Sequence, residues 1–91
     1  MTDHARIIRC EDLLEADVNG EIVALHVEKG QCYGMNAVAS RVWALLAEPI
    51  APAEICARLG EEFDVDPETC RTDVEALLAD FRSEGLIRPA E

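Results

Sequence analysis

The stretch Gly30-Gln31-Cys32-Tyr33-Gly34-Met35-Asn36-Ala37-Val38-Ala39-Ser40-Arg41-Val42-Trp43-Ala44-Leu45-Leu46 decides the fold. Its first part, Gln31 to Met35, reads as a short strand. From Ala37 to Ala47 the period changes, and Val38, Val42, Trp43, Leu45 and Leu46 form an apolar helical stripe. Asn36 stands at the junction, where its side chain can accept from the free N–H groups of the first turn. Everything before the junction reads as sheet and everything after it as helix. Gln31–Met35 is the last strand of its sheet in sequence, so it is expected at an edge with unpaired backbone groups.

Working upstream, Leu13–Val18 and Glu21–Val27 flank Asn19-Gly20, the pair that best tolerates the positive φ angles of a type I′ turn, and predict a β-hairpin. Glu28-Lys29-Gly30 turns the chain again, so the three strands form an antiparallel meander. In the middle strand Val23, Leu25 and Val27 share one face and Ile22, Ala24 and His26 the other, and at least one of these faces must meet a helix. The pattern before Leu13 is weak. Residues 1–12 are expected as a weakly ordered lead-in, in which Ile7 and Ile8 make at most a short extended piece rather than a strand.

Downstream, Glu48-Pro49-Ile50-Ala51 breaks the first helix. Pro52 fits the first position of a second, short helix carrying Ile55, Cys56 and Leu59 and stopping at or near Gly60. Phe63 and Val65 lie in the next linker, expected to cover the base of the core. Asp66-Pro67-Glu68 then opens a third helix with a cap, a proline and an acid in the first turn. Val74, Leu77, Leu78 and Phe81 follow at helical spacing, Gly85 ends the helix, and Leu86-Ile87-Arg88 is a short extended tail. The expected fold is α+β: an N-terminal three-stranded antiparallel sheet packed on a three-helix winged helix-turn-helix bundle, in one domain spanning residues 1–91.

With 91 residues, 49 % of them hydrophobic, the chain supports one modest core. No run of about 18 apolar residues is present to span a bilayer, and no basic-then-apolar signal opens the chain, which predicts a cytoplasmic protein without a membrane partner. Nineteen acidic residues against eight basic ones give a net charge of -11, which repels phosphate backbones and argues against nucleic acid. The four cysteines, Cys10, Cys32, Cys56 and Cys70, are widely spaced and contain no CxxC. Reduced thiols are expected, with no metal and no cofactor.

Catalysis needs a nucleophile beside a base, paired carboxylates, a phosphate-binding glycine loop or metal ligands, and none occurs at a recognisable spacing. Ser40 and Ser83 are isolated in helices, and His26 has no partner motif around it. A DNA-reading role is opposed by the third helix itself, where Glu68, Asp73, Glu75, Asp80 and Glu84 outnumber Arg71 and Arg82. What remains is a docking module whose most physical mode is strand addition: an edge strand offers its backbone ladder to an extended peptide, and neighbouring pockets select side chains. The expected peptide site has the strand Gln31, Cys32, Tyr33, Gly34 and Met35 as one wall. Arg71, Val74, Glu75, Leu78 and Arg82 of the third helix are the other.

The segments Lys29-Gly30-Gln31-Cys32-Tyr33-Gly34-Met35-Asn36, Arg41-Val42-Trp43-Ala44-Leu45-Leu46, Phe63-Asp64-Val65-Asp66-Pro67 and Glu84-Gly85-Leu86-Ile87 together resemble the coenzyme PQQ synthesis protein D family. That family is similar to the recognition elements of ribosomally made, post-translationally modified peptides. The sequence departs from the family pattern at Met35, where leucine is usual, and at Ala51, where a Thr or Ser cap is common. The resemblance implies no catalysis, and binding of a precursor's leader peptide as an added strand between the third strand and the third helix. It also implies delivery of that peptide to a partner enzyme, either a radical SAM modifying enzyme or the leader peptidase of a lasso-peptide system; a monomer or weak dimer is expected. Two other readings stay open at this level: a winged-helix transcriptional regulator, and a structural dimer that pairs its edge strands.

Overall fold

The computed structural model describes residues 6–11 and 13–90. In chain order the elements are β1 (Ile7–Arg9), β2 (Leu13–Val18), β3 (Glu21–His26), β4 (Gln31–Gly34), α1 (Ala37–Leu45), α2 (Pro52–Glu62), α3 (Pro67–Ser83) and β5 (Ile87–Pro89). β2, β3 and β4 form an antiparallel sheet in that order, and β1 pairs with β5 in a second, two-stranded sheet. The α+β architecture is therefore as expected, a three-stranded sheet on three helices, with the β1–β5 ribbon added to it.

The hairpin follows from its turn residues. Asn19 at φ 57° and Gly20 at φ 87° take the left-handed conformations that a two-residue turn requires, and the Asp17 carboxylate accepts from the Gly20 N–H at 2.8 Å. Register places Leu14 opposite Leu25 and Ala16 opposite Val23, with Cys32 also opposite Leu25 and Gly34 opposite Val23. Those residues share the solvent face. The other face carries Ile22, fully buried Ala24, Tyr33 and Met35 onto the helices.

Ser40 clips sheet to helix. Its Oγ accepts from the Ile22 N–H at 2.8 Å and donates to the Met35 carbonyl at 3.1 Å, so this buried hydroxyl has both roles filled. Below it, Trp43 anchors the core with Val42, Leu46, Ile55, Leu59 and Leu86, all essentially inaccessible. Its ring meets Phe81 edge-on at 5.6 Å, its Nε1 donates to Glu15, and the Arg9 guanidinium stacks 5.3 Å from the ring centroid.

Three expectations need correction. Ile7–Arg9 is a strand, not a lead-in: it pairs with β5, exchanges hydrogen bonds with Ile50 and donates from Arg9 to the Leu46 carbonyl. Its partners lie some forty to eighty residues away, so no local pattern announces it; residues 1–5 and 12 of the same stretch lie outside the described residues. Secondly, α2 runs through Gly60 to Glu62. Glycine costs a helix interior about 1 kcal/mol, and here the Arg41 guanidinium holds Glu62 with two contacts of 2.7 Å, extending the last turn. Finally, Val38 does not join the buried stripe of α1; it is 39 % exposed.

Candidate docking surface

The outer edge of β4 is open, because the sheet ends there. The Met35 N–H donates to the Ile22 carbonyl at 2.9 Å, which fixes the phase of the ladder. Antiparallel pairs alternate, so Gln31, Tyr33 and Met35 aim their backbone groups at β3, while Cys32 and Gly34 aim theirs outward. Two donors and two acceptors are thereby presented along about 7 Å of strand.

The C-terminal cap of α3 reaches this strand. The Tyr33 phenol meets a Glu84 carboxylate oxygen at 3.1 Å and the Gln31 side-chain oxygen at 2.7 Å. Partial desolvation first, and then the Glu84 carboxylate, push the phenol above its ordinary pKa. Lys29 Nζ, from the β3–β4 turn, donates to the Glu84 carbonyl at 2.9 Å. Two helical turns back, Leu77 shares an apolar hollow with Val38, Phe63, Val65 and Val74, floored by Leu59 and holding about 90 Å³. Asp73 is its one charged lining residue. Val38 belongs to the first turn after β4, so strand end and helix converge on this hollow.

The structure divides the residues expected in the site. Gln31, Cys32, Tyr33, Gly34 and Met35 are on the open strand, with Met35 buried on its core side. Arg71, Val74, Glu75, Leu78 and Arg82 instead line a separate groove with Pro52, Ala53 and Cys56 of α2, about 520 Å³ in volume. At 100° per residue, Arg71, Glu75 and Arg82 occupy one flank of α3, and Asp73, Leu77 and Glu84 another, about a third of a turn or more away. Only Val74 borders both spaces. The α3 residues expected from sequence thus stand on a different flank from the one that carries Leu77 and Glu84, which share the β4 side with Val38 and Phe63. The available signal was the pair Phe63 and Val65, apolar residues in a linker, read as a cover for the core; Val65 is 40 % exposed.

Among the described residues no three His, Cys, Asp or Glu side chains converge as a metal site. Burial, followed by the neighbouring Cys70, pushes the Cys56 thiol up, away from the thiolate that nucleophilic chemistry needs.

The sequence profile of coenzyme PQQ synthesis protein D (PqqD) matches residues 21–87. The chain belongs to the PqqD family. Among solved structures it is similar to TbiB1 in complex with the TbiA(beta) leader peptide, at 30 % identity and a TM-score of 0.83, covering 92 % of this chain and 98 % of that one. A lasso peptide synthetase B1 complexed with the leader peptide shares the fold at 20 % identity and a TM-score of 0.79, over 91 % and 98 % of the two chains. Comparison with curated proteins gives no match. The PqqD match begins at β3 and ends in β5, so it contains the open strand, the hollow and all three helices.

Proposed function

We propose that this PqqD-family chain binds the leader segment of a ribosomally made precursor peptide as a fourth strand on β4 and presents it to a processing enzyme, itself taking no part in the chemistry. The observation that carries the reading is the outward-facing backbone of Cys32 and Gly34 beside an apolar hollow on α3. The ladder supplies affinity for any extended chain. The hollow supplies choice, since it admits one aliphatic side chain and, with Asp73 at its wall, disfavours an acidic one. The similarity to TbiB1, whose structure holds a leader peptide, supports the same assignment. None of the described helices is long and apolar enough to cross a membrane, and four free cysteines fit a reducing cytoplasm.

The test is titration of isotope-labelled protein with the leader peptides of precursors encoded beside its gene. The expected result is movement of the Cys32 and Gly34 amide signals, saturating with Kd tighter than about 100 µM. If every such leader binds more weakly than that, or moves signals only elsewhere, the assignment is wrong.

A further inference from the structure

The groove between α2 and α3 is larger than the hollow beside β4 and lies on the other flank of α3. We propose that it is a second docking site, built for an acidic, partly apolar segment of a partner protein. The inference stands on its own groove and does not require the strand-addition reading.

Its floor is apolar, formed by the buried Val74 and Leu78 and the half-buried Cys56. Pro52 and Pro67 also line it, each the first residue of its helix and each without an N–H. The groove is walled by helices and offers no strand edge, so an incoming chain is held by its side chains.

Charge selects among the possible guests. Arg9, Arg41, Arg58 and Arg88 each face a carboxylate of the protein itself. Arg71 and Arg82, both exposed on the rim of this groove, make no ion pair or side-chain hydrogen bond among the described residues. In a chain with nineteen acids, two guanidiniums left uncommitted on one apolar groove are a recognition pattern, because arginine binds carboxylates with two parallel donors. Eleven positions of helix separate them by about 16 Å, a span covered by about five residues of an extended segment. Glu75 lies between them and repels a third acid. The guest is therefore a segment with two carboxylates at its ends and apolar, uncharged residues in between.

The arrangement gives α3 two working flanks. Asp73, Leu77 and Glu84 face the strand side, and Arg71, Glu75 and Arg82 face the second groove, so both sites can be filled at once.

A synthetic amphipathic peptide with two glutamates about five positions apart and leucines between them serves as probe, with its lysine counterpart and a duplex DNA as controls. The glutamate peptide is expected to move the amide signals of Ala53, Cys56, Arg71 and Leu78, leave Cys32 and Gly34 unmoved, and bind with Kd below about 1 mM. Affinity should fall at least about tenfold in the Arg71→Glu, Arg82→Glu double variant, whose circular dichroism should match the parent, and also weaken as salt rises. Absence of any shift, equal binding of the lysine peptide, preferential binding of the duplex, or unchanged affinity in the double variant would each overturn the proposal. Leader binding is read at Cys32 and Gly34, so the two sites fail separately.

Discussion

The phenolic oxygen of Tyr33 lies 3.1 Å from a carboxylate oxygen of Glu84, tying the open strand to the C-terminal cap of α3. This contact sets the spacing between β4 and that end of the helix, and it joins two residues fifty-one positions apart. Desolvation and the adjacent carboxylate both favour the neutral phenol, so its folded pKa lies above the ordinary 10.0. An acid with a raised folded pKa contributes stability below its unfolded value and loses it as pH rises through the folded one. The contact should therefore hold from neutral pH to about pH 10 and break above that.

Tyr33 is the only tyrosine, so ultraviolet titration reads it without ambiguity. The midpoint is expected above that of free tyrosine, and Glu84→Gln should lower it. An identical midpoint in the variant would show that Glu84 does not act on the phenol.

Ser40 and Trp43 hold the same helix to different partners, and their losses should differ in size. Ser40→Ala leaves the Ile22 N–H without its acceptor in a partly buried site, at a cost of about 1–3 kcal/mol. Trp43→Ala opens a cavity in the centre of the core and should cost about 3–5 kcal/mol. Urea unfolding followed by circular dichroism measures both. A serine variant as stable as the parent would mean that water replaces the hydroxyl, and the clip between β3 and α1 would lose its energetic meaning.

Local chemistry made much of this fold legible. Asn19-Gly20 specified the hairpin, Asn36 and Asp66 specified helix starts that the structure realises with side-chain caps, and the period of Val42, Trp43 and Leu46 specified the buried face of α1. Those signals act over a few residues. β1 was opaque because its partners, Ile87 to Pro89 and Ile50, are brought to it only by the finished fold. The candidate site was half legible for the same reason. Its strand wall followed from order in the chain, but its helix wall depends on how α3 is rotated. Arginines at positions 71 and 82 look like binding residues on any flank, whereas Leu77 and Val38 look like core. Only packing shows that the arginines turn toward α2 and that Val38 stays open.

Gly34 offers a direct way to test the outward ladder. Its amide is one of two that β4 aims away from β3, and a Cβ built on it meets nothing within 4 Å. Gly34→Ala adds a methyl on the open face and keeps the N–H, so leader affinity and stability should change little. Gly34→Pro removes that donor and sets a ring against the incoming chain while leaving the hydrogen bonds of Tyr33 and Met35 toward β3 available. One lost backbone hydrogen bond is worth about 0.5–1.5 kcal/mol, and the ring obstructs its neighbours, so leader affinity should fall by about tenfold or more. Calorimetry on the two variants, with thermal unfolding as the control for folding, separates the outcomes. A folded proline variant that binds the leader as tightly as the parent would mean that the peptide does not enter as a strand on β4.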